Sequence, residues 1–137
     1  MRECLTQSID VPTTTRCDFI EVTRQLQALV SEAGIESGTV IAYVPHTTAG
    51  ITIQENADPD VVHDVLWKLE QLIPKHESAY RHAEGNTDSH IKASMMGSSV
   101  TVFVVDGRLA LGTWQGVYFT EFDGPRSRKL IVKVIPD

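Results

Sequence analysis

Basic residues are scarce in this chain. Lysine and arginine number 12 against 18 aspartate and glutamate, a formal net charge of −6. General nucleic-acid binding calls for a basic face against the phosphate backbone, so no nucleic-acid partner is expected. A local basic pocket for one phosphate stays open. Cysteine is scarce too. Cys4 and Cys17 fall in the N-terminal segment without metal or redox spacing, and two cysteines build no disulfide framework. They are expected as free thiols. No run approaches the roughly 18 apolar residues of a membrane span, so no membrane partner is expected. Met1-Arg2-Glu3-Cys4-Leu5 carries no apolar signal core, and the expected location is cytoplasmic.

What is present suffices for a core. The 137 residues are 42% hydrophobic and 22% charged, which fits one ordinary domain over 1–137 without covalent staples. Residues 5–13 interleave β-type and polar residues and predict an opening strand. Thr23 can cap a helix through about Ala33, with Val22, Leu26, Leu29 and Val30 on one stripe and Gly34 at the stop. Thr39 to Val44 predicts a strand ended by Pro45, and Ile51–Gln54 its hairpin partner. Asp58-Pro59 starts a helix to about Ile73, with Val61, Val62, Val65, Leu66, Leu69 and Leu72 inward. The segment 74–87 is polar and irregular, and a loop of that length is commonly functional. Asp88 can cap a short helix through about Met95. Strands are predicted near 99–105, 108–114, 117–123 and 129–135. The fold class is α+β, mainly antiparallel sheets packed with two main helices.

Five histidines divide in two. His63 on the second helix and His76 in the polar loop are expected as solvated side chains. His46, His82 and His90 sit at edges of regular elements beside small or polar residues. Three imidazoles can hold Zn²⁺ with an open fourth position, or serve as acid, base and phosphate donor. Their spacing is no zinc signature. Thr47 and Thr48 offer two hydroxyls for phosphate oxygens, or simply β propensity. Glu55 and Asn56, at a strand-to-helix junction, could hold Mg²⁺. Asn86 could read a polar ring or phosphate, or belong to a Gly-Asn turn. Asp123-Gly124-Pro125 is a stiff turn that projects Arg126 toward a phosphate or into an ion pair with Asp123. Glu121 could orient a histidine. Gly112-Thr113-Trp114-Gln115 makes a corner between two β-patterned runs, with Trp114 and Gln115 suited to the wall of a polar pocket.

Five of these motifs, in this order, resemble the YjbQ family, whose members are often described as secondary thiamine-phosphate synthases. They are Pro45-His46-Thr47-Thr48-Ala49, Glu55-Asn56-Ala57-Asp58-Pro59, Tyr80-Arg81-His82 with Asn86, Asp88 and His90, Gly112–Gln115, and Glu121–Arg126. The resemblance runs from about residue 15 to the C-terminus. It implies a homotrimer, with His46, His82, His90, Asn56 and Gln115 as catalytic residues. Thr47, Thr48, Asn86, Trp114 and Arg126 would bind a small phosphorylated substrate, and the three histidines would hold a divalent metal, Zn or Mg. The implied reaction joins a hydroxymethylpyrimidine diphosphate to a thiazole phosphate and releases pyrophosphate. Metal-dependent phosphoester hydrolysis and a non-catalytic ligand-binding trimer are the alternatives. The expected geometry is that His46, His82, His90 and Gln115 converge in one pocket.

Overall fold

The computed structural model describes residues 3–137, so Met1 and Arg2 of the N-terminal expectation lie outside the described residues. Eight strands form two antiparallel sheets. The larger has the order β1-β8-β3-β5-β6 and the smaller β2-β7-β4. The members of the larger sheet are β1 (Leu5–Pro12), β3 (Ser37–Tyr43), β5 (Ser99–Val105), β6 (Arg108–Leu109) and β8 (Ser127–Pro136). Those of the smaller are β2 (Asp18–Glu21), β4 (Ala49–Glu55) and β7 (Gln115–Glu121), and the helices are α1 (Thr23–Ala33), α2 (Pro59–Leu72) and α3 (Thr87–Met96). The class is α+β, as expected. Among the described residues no helix is long and apolar enough to cross a membrane. Cys4 and Cys17 are free thiols.

Alternation decides the core. Val40 and Ala42 on β3, Val102 and Val104 on β5, and Leu130, Val132 and Val134 on β8 point inward. They meet Val117 and Phe119 of β7, Ile51 of β4 and Leu26 and Val30 of α1. A second cluster lies on the other face of the small sheet, where Phe19, Tyr118 and Phe122 pack against Leu69 of α2 and Ala93 of α3. β7 is therefore buried on both faces, which explains its unbroken run Val117-Tyr118-Phe119-Thr120. Full burial of Phe119 and Phe122 contributes about 1.5–3 kcal/mol each.

Several sequence expectations are corrected. β3 and β4 are not a hairpin. Both edges of β3 are taken, by β5 and β8, and residues 44–48 carry the chain across to the other sheet. β2 was not expected, and β6 is only two residues long. Thr23 does not cap α1. Its hydroxyl accepts from the backbone N–H of Val117 and donates to Glu21, while Gly34 ends the helix in the left-handed conformation at φ 65°. Asp58 does cap α2, accepting from Asp60 N at 2.9 Å. Leu72, expected inward, is 61% exposed, because α2 lies at the edge of the second cluster and buries only Leu69 fully. The N-cap of α3 is Asn86 rather than Asp88, which lies within the first turn.

Candidate active site

One end of the two sheets gathers the chemistry. β3 runs toward it and delivers Pro45 to Thr48, β7 delivers Glu121, β8 starts there, and the loop before α3 closes the side. The result is a cavity of about 650 Å³ whose lining includes His46, Thr47, Thr48, His82, Asn86, His90 and Arg126. Seven of the ten residues singled out in the sequence thus share one cavity.

Asn56, Trp114 and Gln115 do not line it, and the expected convergence of Gln115 with the histidines fails within the chain. The β4–β7 ladder pairs Ala49 with Glu121 at the cavity end and Glu55 with Gln115 at the other. Six residues at about 3.3 Å each separate those ends by roughly 20 Å. At that far end the Asn56 side chain donates to Glu21 at 3.0 Å, the Gln115 side-chain oxygen accepts from Gly112 N at 2.8 Å, and Trp114 is 64% exposed. Glu55 accepts from Asp58 N there, a turn role far from the histidines.

Below the cavity lies a pair the sequence reading missed. Arg128 donates to both carboxylate oxygens of Glu121, and its Nη2 also donates to the Thr48 hydroxyl at 2.8 Å. Glu121 further accepts from the Thr13 hydroxyl and from the backbone N–H groups of Phe122 and Asp123. Burial pushes the Glu121 carboxyl up, but Arg128, the Asp123 N–H and Thr13 outweigh it, so its pKa is lowered. A carboxylate this saturated orients no histidine and serves as no base. Thr48 is likewise bound into the framework, which leaves exposed Thr47 as the hydroxyl facing solvent. The missed signal was alternation: Val117, Phe119 and Glu121 share one face of β7, and Arg128, Leu130 and Val132 one face of β8. Gly124 supports the turn between them, since a Cβ there would lie 2.3 Å from the Thr15 carbonyl oxygen.

Each histidine is placed differently. His46 Nε2 accepts from the backbone N–H of Lys129 at 2.9 Å, so the neutral ring carries its proton on Nδ1. Burial, with nearby Arg128, lowers its pKa. His82 and His90 meet edge to face with ring centroids 5.3 Å apart, and Glu84 lies 3.8 Å from His82 Nε2. Arg126 forms the ion pair that the sequence offered, and it also lies at the cavity. It meets Asp123 through the backbone oxygen at 2.9 Å and the carboxylate at 3.0 Å. Asn86 donates to the same carboxylate at 2.8 Å, while its own Oδ1 is buried without a partner.

The three histidines do not fit a metal as a set in this chain. The accepting lone pair of His46 is already occupied by Lys129 N, and its other nitrogen bears the proton. Among the described residues no group of three or more His, Cys, Asp and Glu is arranged to hold a metal ion. What the set can do is donate hydrogen bonds and exchange protons around an anion.

A second buried network braces α3. Asp88 is fully buried and receives both Arg16 Nη atoms, at 3.0 and 3.2 Å, and Lys92 Nζ at 3.0 Å. Lys92 also reaches Glu70 on α2 at 3.0 Å. Burial raises the Asp88 pKa and the bonds from Arg16 and Lys92 more than reverse it. Asp88 and Lys92 four residues apart were the legible sign, but not that the pair is buried.

Comparison with known proteins follows the same outline. The family model described as "UPF0047 protein YjbQ-like" matches residues 7–137. The UPF0047 protein YugU of Bacillus subtilis is 50% identical over 129 residues, 94% of this chain and 98% of that one. The UPF0047 protein MJ1081 of Methanocaldococcus jannaschii is 49% identical, covering 93% of this chain and 91% of that one. Among solved structures, an uncharacterized conserved protein of the YjbQ/UPF0047 family from Clostridium acetobutylicum superposes with a TM-score of 0.92 at 50% identity, over 94% of this chain and 99% of that one. A protein of unknown function from Sulfolobus solfataricus reaches 0.92 at 28% identity, over 98% and 99%.

Proposed function

The chain belongs to the UPF0047 YjbQ-like family, and from that premise we propose that it is an enzyme acting on a small phosphorylated substrate. The observation that carries this reading is the meeting of His46, His82 and His90 with Thr47, Asn86 and Arg126 in one cavity. Donors dominate that lining. His46 offers Nδ1–H, Arg126 an Nη1 with no partner among the described residues, and Thr47 a free hydroxyl, as phosphate oxygens require.

The specific reaction we favour is the one the resemblance implies. The bond from the pyrimidine methylene carbon to the diphosphate oxygen breaks, and pyrophosphate leaves with the electron pair. The thiazole nitrogen forms the new bond to that carbon. Arg126, His82 and His90 would hold the leaving diphosphate, and neutral His46 would donate to a phosphate oxygen without needing to titrate. The transfer needs no net proton, which suits histidines that donate hydrogen bonds rather than relay protons.

The proposal includes a cytoplasmic location and a homotrimer. Support for self-association is the outer face of the large sheet, where Tyr43, Phe103 and Val105 are exposed. The deciding experiment incubates purified protein with the two thiamine precursors and, separately, with p-nitrophenyl phosphate. Thiamine phosphate as product supports the transferase. Release of p-nitrophenol alone favours hydrolysis, and pyrophosphate binding without either product favours a binding protein.

A further inference from the structure

A second cavity, of about 400 Å³, adjoins the first, and its lining includes Lys75, His76, Tyr80, His82 and Thr87. His82 lines both cavities. Just beyond it, neighbouring residues divide between them: Asn86 lines the first and Thr87 the second. We propose that this second cavity binds the phosphate group of a second substrate, so that two phosphorylated molecules lie on either side of His82.

Charge accounting leads there. The guanidiniums of the first cavity are paired, Arg128 with Glu121 and Arg126 with Asp123. One cavity so balanced is poorly supplied to neutralise two phosphorylated substrates. Next door, Lys75 and His76 make no ion pair or side-chain hydrogen bond among the described residues. Glu77 is the carboxylate of this lining and has no salt bridge to Lys75. The Thr87 hydroxyl is buried with no partner, and a buried hydroxyl without a hydrogen bond is unfavourable. That oxygen is closed to solvent, so a phosphate oxygen would become its acceptor only when the side chain turns toward the cavity. Thr87 also opens α3, where first-turn N–H groups favour anions.

The inference deepens the proposed function and rests on it for there being two phosphorylated substrates, while the anion site in the second cavity is tested separately. The test is imidazole-resolved ¹H–¹⁵N NMR during titration with inorganic pyrophosphate at constant ionic strength. Wild type, Lys75→Ala and Arg126→Ala are compared, and Lys75 is exposed enough that its removal leaves the fold intact. His76 and His82 should shift and saturate in the wild type. Lys75→Ala should weaken the His76 response about tenfold, the worth of one charged hydrogen bond, and leave the His90 midpoint unchanged. Arg126→Ala should do the reverse. The second site is overturned if His76 does not saturate, or if Lys75→Ala leaves its midpoint where it was. If His76 behaves as expected while His90 ignores Arg126→Ala, the second site stands and the function proposed for the first loses its anion.

Discussion

Arg128 and Glu121 form a two-pronged pair at the floor of the cavity, Nε to Oε2 at 2.7 Å and Nη2 to Oε1 at 2.5 Å, with both side chains buried. The pair ties β7 to β8 and, through Thr48, holds the strand end that carries His46. Its burial decides what mutation does. Arg128→Met should cost about 3–5 kcal/mol, because it leaves a buried carboxylate uncompensated. Adding Glu121→Leu should recover part of that loss, though Thr13 and two backbone N–H groups then lose their acceptor. Urea unfolding of both singles and the double measures it; additive losses would refute the coupling.

Stability should fall on acidification in two stages. His46 has a lowered pKa, so the unfolded chain protonates near the ordinary 6.5 while the folded ring stays neutral. Stability from this group is present above that value and is lost as pH falls toward the folded pKa. Asp88 and Glu121 are also lowered. Their contribution is full above the ordinary carboxylate range and drains away as pH falls through their folded values. Lys92 is raised, so its contribution is lost only at alkaline pH, above the usual lysine range. Unfolding free energy measured from pH 7.5 to 3 should flatten as pH falls below about 6.5 in His46→Gln. It should flatten below about pH 4 in Asp88→Asn. Unchanged slopes would remove these groups from the account.

The alternation that marks this pair as inward-facing also shows what was legible. Hydrophobic periodicity placed α1, α2, β1, β3, β5 and β8 nearly where they lie, because each buries one regular face, and β7 was legible as an unbroken apolar run because it is buried on both. It misjudged partners. β3 and β4 are close in sequence and each is apolar, yet pairing is settled by which edges remain open, a property of the whole sheet. The motifs that resemble one family were read as one site, but strand direction sends Gln115 and Asn56 to the far end of a seven-residue ladder. Arg16 and Lys92 look like surface residues in any local window. Only the fold reveals that Asp88 lies between them.

The histidines should separate by function rather than by stability. His82 is half exposed and His90 carries no side-chain hydrogen bond among the described residues, so alanine at either should leave stability within about 0.5 kcal/mol. His46→Ala removes the acceptor for Lys129 N and should cost about 1 kcal/mol. Each of the three should lower kcat by about 10²–10³, the loss of one hydrogen-bond donor to the leaving diphosphate. His63, which pairs only with its neighbour Asp64 on the surface, should tolerate alanine without change in melting temperature or rate. His76→Ala should also leave the melting temperature unchanged, with its effect confined to KM for one substrate. Thermal melts and steady-state kinetics across the five variants check this. A His63→Ala enzyme as impaired as His90→Ala would break the division.

The outer face of the large sheet bears on assembly. β3 and β5 turn Tyr43, Phe103 and Val105 outward, and Phe103 is 67% exposed. Ile41 shares that face, as do Ile131 and Ile135 of β8, and the apolar residues spread over three strands with Thr39, Thr101 and Lys133 between them. A face of this kind rarely stays uncovered in a soluble chain. The first cavity opens beside it, since Tyr43 belongs to both. For the homotrimer proposed above, light scattering should report three times the 15.2 kDa chain mass. Phe103→Glu should shift the protein toward monomer, because a carboxylate in the middle of an apolar contact must be desolvated without a partner. Its fold should persist, since Phe103 touches no buried cluster in the chain. A wild type that is monomeric at micromolar concentration, or a Phe103→Glu variant with unaltered mass, would rule out this face as the contact.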